Sequence, residues 1–160
     1  METKPIKRNK NIVGFSKEHH GALLFCWKIR WGIHLNTPIE RISRYARWFW
    51  ENHLQPHQQE EDALLFFDHT DALVKKVADD HIILTAKFAD IISGANISEK
   101  DFLDLADFLE EHTRHEERIV FPHLEKKFTT EEMEKIGVAM QNSREHTAEE
   151  DYDDEFWKSR

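Results

Sequence analysis

This sequence predicts an all-α fold: an antiparallel up-down four-helix bundle with a short extra C-terminal helix. Three observations predict it. Apolar residues recur three and four positions apart through most of the chain. Only five glycines and four prolines interrupt 160 residues, so helical stretches are long and connections short. A pattern of histidine, glutamate, aliphatic residues and phenylalanine occurs twice at identical offsets, and its spacing converges only on helices. The length suits one domain over 1–160, with the bundle core at about 12–127 and the C-terminal helix and tail at 129–160.

Residues 1–10 are polar and basic and read as a loose arm. From about Asn11 to His34, Ile12, Phe15, Leu23, Cys26, Ile29 and Ile33 form an apolar stripe. Asn36-Thr37-Pro38 ends that helix, and Thr37 is the expected N-cap of the next, with Pro38 in its first turn. The second helix is expected to run to about His69, with a kink or break at Pro56, just before His57. A third helix covers about 71–93, with Val74, Val77, Leu84, Phe88 and Ile91 inward and Gly94 closing it. Ser98 caps the fourth, with Asp101 three residues on, and Pro122 is expected to bend it. Thr129 or Thr130 starts a fifth helix to about Arg144. Beyond it the acidic tail offers Phe156 and Trp157 for docking on the bundle, and Trp48-Phe49-Trp50 is a candidate surface to receive them.

The net charge of −9 argues against nucleic acid as the main partner. No apolar run approaches the roughly 20 residues of a membrane span. Lys4, Lys7, Arg8 and Lys10 precede no uncharged apolar stretch, so no signal peptide is expected. The single cysteine, Cys26, excludes an internal disulfide and a cysteine-based zinc motif and reads as a small buried hydrophobe. A reducing, cytoplasmic setting is the simplest expectation.

The doubled motif carries the chemistry. His57 and His112 are each followed by Glu at +4 (Glu61, Glu116), an acid at +5 (Asp62, Glu117), aliphatics at +7 and +8 and Phe at +9 (Phe66, Phe121). Residues four apart on a helix stand about 5–6 Å apart at Cβ, so an imidazole nitrogen and a carboxylate oxygen can meet at one ion. The other two long helices each place a histidine within an apolar stripe: His81 after Asp80, and His19 after Glu18. His20 is the alternative on the first helix, and His53, one turn before His57, is a further candidate. Left unpaired inside a core, such ionisable groups would cost several kcal/mol each. His34, His69, His115, His123 and His146 read as surface residues, and Glu60 and Glu117 as solvated or supporting neighbours. Nitrogen and oxygen donors without thiolate suit iron, manganese or zinc.

The residues Glu18-His19, His57…Glu61 with Leu64-Leu65-Phe66, Asp80-His81, and His112…Glu116 with Phe121-Pro122 resemble the hemerythrin-like family, the HHE cation-binding domain. The resemblance spans roughly residues 12–127. It implies a four-helix bundle around a non-haem centre of two iron ions, with His19, His57, His81 and His112 as terminal ligands and Glu61 and Glu116 bridging. Similar proteins include oxygen carriers, sensors of oxygen or iron, and proteins linked to repair of nitrosative damage. The implied ligand is O2 or another small diatomic or peroxide, and a homodimer is among the assemblies open to such a chain. The oxygen carriers have a second histidine one turn along the third helix; here Val77 and Thr85 flank His81. Three readings compete: a module that binds O2 or senses iron, a redox enzyme acting on peroxide, nitric oxide or damaged iron centres, and a bundle held by structural zinc or another metal. No separate general acid or nucleophile stands out, so no catalytic residue is assigned.

Overall fold

The computed structural model describes residues 7–94 and 96–158, in which the secondary structure is helical, with no strand. Helix α1 (Val13–His34) buries Phe15, His19, Ala22, Cys26 and Ile29 along one stripe. Its end is closed by the backbone: Leu35 N–H donates to Trp31 O, and Thr37 N–H to Gly32 O at 3.0 Å. Asn36 makes this turn in the left-handed region (φ 58°), which asparagine tolerates better than most residues. The expected Thr37 cap is therefore corrected. Pro38 holds the N-cap position of α2 (Ile39–Phe49), and no side chain caps it.

At Pro56 the structure differs from the expected kink or break. A π-helical turn, Trp50–Leu54, joins α2 to α3 (Gln55–Leu64), and Gln55 N–H bonds Trp50 O. Pro56 has no N–H, and its ring crowds the carbonyl four residues back, so a widened turn just upstream lets the helix continue. The same arrangement recurs at Pro122. Helix α5 (Glu99–His115) passes through a π-helical turn, Glu116–Val120, into α6 (Phe121–Lys127). Helix α3 ends at Leu64 rather than near His69. Leu65 and Phe66 N–H both bond Glu61 O, and Asp68 Oδ1 then accepts from Thr70 N–H and hydroxyl. Helix α4 (Ala72–Ser93) starts on the Asp71 cap and stops at Gly94 with φ 72°. Asp101 Oδ2 accepts from Ser98 N–H to begin α5, and Thr129 and Glu132 bond reciprocally to begin α7 (Thr130–Ser143).

The core is two apolar clusters with a polar layer between them. The first holds Phe25, Ile29, Tyr45, Trp50, Phe88 and Phe102; the second holds Ile12, Phe15, Phe66, Val77, Phe121 and Met133. Along α1 the chain goes from the second cluster (Phe15) through His19 to the first (Ala22, Phe25). Along α2 and α3 it goes from the first (Tyr45, Leu54) through His57 and Glu61 to the second (Leu65). Along α4 the order is Val77, His81, Leu84; along α5 and α6 it is Leu109, His112, Glu116, Val120. Helix α1 packs mainly on α5, and α4 packs on both α2 and α5.

The tail docks on the first cluster. Phe156 and Trp157 are buried there, and Trp48 stacks on Tyr45 and lies tilted against Tyr152. Glu150 accepts from the Tyr45 hydroxyl and Lys28 Nζ, both at 2.7 Å, and Lys28 lies 4.2 Å over the Trp157 ring. The Arg41 guanidinium holds Asp154 through two bonds of 3.0 and 2.6 Å. A Cβ on Gly32 would come within 2.4 Å of Phe156, so glycine is what lets the ring lie on α1. Cys26 is fully buried, and burial pushes its thiol up to about 12. Among the described residues, no helix is long and apolar enough to cross a membrane. Because Phe156 is buried, Phe156→Ala should lower the unfolding free energy by about 3 kcal/mol or more in a urea titration. An unchanged midpoint would mean the tail is not part of the cooperative fold.

Candidate metal centre

The polar layer gathers four imidazoles and two carboxylates, with Glu61 and Glu116 fully buried at its middle. Helical spacing does the local work: His57 sits one turn before Glu61 on α3, and His112 one turn before Glu116 at the end of α5. Every histidine turns Nε2 inward. His19 Nε2 lies 3.2 Å from Glu61 Oε2 and 3.1 Å from Glu116 Oε2. His57 Nε2 lies 3.1 Å from Glu61 Oε1. His81 Nε2 lies 3.3 Å from Glu61 Oε1 and 3.4 Å from Glu116 Oε1, and His112 Nε2 touches Glu116 Oε1. Each carboxylate thus spans several imidazoles.

Every histidine also turns Nδ1 outward onto a second acid. His19 Nδ1 meets Glu117 at 2.7 Å, His57 meets Glu18 at 3.0 Å, His81 meets Asp62 at 2.8 Å and His112 meets Asp80 at 3.3 Å. The pattern is two-fold. Glu18 and Asp80, which precede the single histidines of α1 and α4, hold the motif histidine of their own half. Asp62 and Glu117, at +5 of the motifs, hold the single histidine of the opposite half. An acid on Nδ1 fixes ring orientation, puts the proton on that nitrogen and frees the Nε2 lone pair for an ion. Phe121 stacks on His19 at 5.1 Å, and Phe66 and Phe15 set their edges against His81 and His57, so the second cluster walls the layer on one side.

The electrostatics suit cations. Burial alone would lower the histidine pKa values, but the facing acids outweigh it: Glu116 with Glu117 and Glu61 holds His19 well above the ordinary value, Asp62 with Glu116 and Glu61 does the same for His81, and Glu61 with Glu18 raises His57 to about 9. Burial opposes ionisation of Glu116, yet His112 and His19 keep its pKa well below the usual range. Glu61 Oε1 and Glu116 Oε2 are buried without a properly aligned hydrogen bond. Carboxylate oxygens and imidazole nitrogens that lie close yet misaligned fit donors aimed at a shared point rather than at each other. The residues form two groups whose donor atoms lie within 4.8 Å of one another: His19, His57, Glu61 and Glu116, and His81, His112 and Glu116. These buried groups could hold a metal ion.

His20 is exposed and outside both groups. His53 stacks on Phe49 at 5.7 Å and lines a water-sized cavity beside His57 but joins neither group. Glu117 supports His19 directly. His146 is not a surface residue: its side chain is 10% exposed, and Nε2 lies 2.5 Å from Glu60, which also receives Arg144. His123 pairs with Asp71 at 2.6 Å. Arg8 lies in the stretch expected to be a loose arm, yet it is buried and binds Glu117 and Glu125. Asp62 was visible only as the acid shared at +5, and Arg8 and Arg144 carried no local signal. Comparison with protein-family models, curated proteins and solved structures finds no match for this chain.

Two predictions follow from the layer. Asp80→Asn or Glu117→Gln should weaken metal binding by roughly 10–100-fold in a competitive titration, as loss of an imidazole's outer partner does elsewhere; unchanged affinity would remove these acids from the site. Without metal, histidines whose folded pKa is raised stabilise the fold fully below their unfolded pKa of about 6.5. That stability is lost as pH rises through about 9, the value for His57. The melting temperature of chelator-treated protein should therefore fall from pH 6.5 to 9. A rise over that range would contradict the paired-imidazolium picture.

Proposed function

We propose that this chain is a hemerythrin-like, di-iron-binding four-helix bundle that binds or reacts with O2 or a related small ligand. The single observation behind this reading is the set of four imidazoles, each with Nδ1 on an acid and Nε2 on the shared pair Glu61 and Glu116. The antiparallel up-down arrangement is supported by the order in which successive helical segments cross the two apolar clusters, which reverses each time. His19 and His57 would hold one ion, His81 and His112 the other, and Glu61 and Glu116 would bridge them. Bound iron would supply one-electron chemistry and open positions for small ligands. The protein's part is to orient the imidazoles, keep the carboxylates ionised and exclude bulk water. Two divalent ions bring the same positive charge as four protonated imidazoles, so loading exchanges protons for metal without changing the charge of the layer.

Val77 is fully buried in the second cluster, and the Thr85 hydroxyl donates to His81 O at 2.8 Å. Neither adds a ring nitrogen, so four imidazoles serve the pair rather than the five of the oxygen carriers. That favours sensing or redox chemistry over storage. The alternatives to this reading are a redox enzyme acting on peroxide, nitric oxide or damaged iron centres, and a zinc- or manganese-loaded structural bundle.

Elemental analysis of purified, iron-loaded protein should give two ions per chain, and Glu61→Ala or Glu116→Ala should lose most of the second, because a bridge serves both. Full loading in the double alanine variant would end the bridging assignment. After anaerobic reduction and exposure to O2, the absorption spectrum should not return to its reduced form when O2 is removed. A reversible return would favour an oxygen carrier.

A further inference from the structure

The two halves of the layer are related by a two-fold pattern, yet they are enclosed differently. Around His19 and His57 the outer acids are clamped from both chain ends. Glu18 is 7% exposed and bound by Arg144 at 2.6 and 3.0 Å, and Glu117 is bound at 3.1 Å by Arg8, whose own side chain is 4% exposed. Around His81 and His112 no arginine serves among the described residues. Asp80 has the exposed Lys76, and Asp62 is 46% exposed with no lysine or arginine partner among the described residues, only His81. A groove of about 440 Å³ opens between α3 and α4 on this side, with Asp62, His81, Thr85 and Gln58 along it.

Gln58 stands where this groove meets the layer. It is 5% exposed and lies one turn before Glu61, beside Thr85, which lies one turn after His81. Its amide orientation is set by a directed chain. Gln58 Nε2 donates to Thr85 Oγ1 at 3.4 Å, and Thr85 Oγ1 donates to His81 O at 2.8 Å. This leaves Gln58 Oε1 as a pure acceptor, and it is buried without a partner. A buried acceptor left empty costs about as much as a lost hydrogen bond, so it marks a place for a donor.

We propose that exogenous ligands reach the centre through the α3–α4 groove at the His81 and His112 end, and that Gln58 Oε1 accepts a hydrogen bond from a ligand bearing O–H or N–H. The favoured class is water, peroxide in its protonated form, or a hydroxylamine-like molecule, rather than a bare anion. This rests on the two-ion reading above.

The test uses the full chain loaded with cobalt(II), whose visible bands report small-ligand binding, with azide and hydroxylamine as probes. Thr85→Trp, at the exposed rim of the groove, should slow azide association by about tenfold or more. Lys17→Trp, on the opposite face of α1, should leave it unchanged. Gln58→Leu should weaken hydroxylamine binding about five- to tenfold, the worth of one hydrogen bond, without weakening azide. Equal azide rates in wild type and Thr85→Trp would overturn the entry route. Parallel loss of both probes, or of neither, in Gln58→Leu would overturn the acceptor role. Fewer than two cobalt ions per wild-type chain would instead count against the underlying two-ion reading.

Discussion

Six ionisable side chains are buried across the middle of this core, four histidines with two carboxylates between them, and four more acids stand behind them, from the nearly buried Glu18 to the half-exposed Asp62. Removing such groups from water costs several kcal/mol each unless every one is partnered. Apolar packing on both sides, the helix turns and the chain ends all serve to meet that demand. The two apolar clusters on either side supply the burial free energy, and the layer is tolerable only because each imidazole is held on both nitrogens. Removing any one acid leaves a histidine free to rotate and a buried charge uncompensated.

The helices are shaped around the same layer. Both motif-bearing segments contain a π-helical turn next to the site, Trp50–Leu54 before His57 and Glu116–Val120 at Glu116 itself. In each case a proline follows, at Pro56 or Pro122, and the wider turn absorbs its missing N–H. In the second segment Glu116 is the first residue of the widened turn, so the proline and the positioning of a central carboxylate are parts of one local solution. The chain ends contribute from outside the layer. Arg8 and Arg144 neutralise Glu117 and Glu18, and the docked tail closes the first cluster.

What was legible in the sequence was local. The pairing of His57 with Glu61 and of His112 with Glu116 follows from one helical turn, and the doubled pattern made a single site the natural reading. The positions of the α4 and α5 starts were readable because the bonds that open them are local: Asp71 accepts from Leu73 and Val74 N–H, and Asp101 accepts from Ser98 N–H. Three features were hidden for physical reasons. Pro56 predicts a disruption but not whether the chain kinks or widens. The Thr37 cap failed because α2 starts one residue later than the pattern suggests: Pro38 holds the N-cap position, and Thr37 lies before it. Arg8, Arg144 and His146 are joined to the layer across more than eighty residues, a distance at which spacing carries no information.

We propose that this layer is a binuclear metal centre and not only a buried ion-pair network. Anomalous diffraction at the iron edge from crystals of iron-loaded protein tests it most directly. Two peaks should lie between Glu61 and Glu116, one beside His19 and His57 and the other beside His81 and His112. A layer with no anomalous density in fully loaded crystals, or a single ion bound elsewhere, would contradict it.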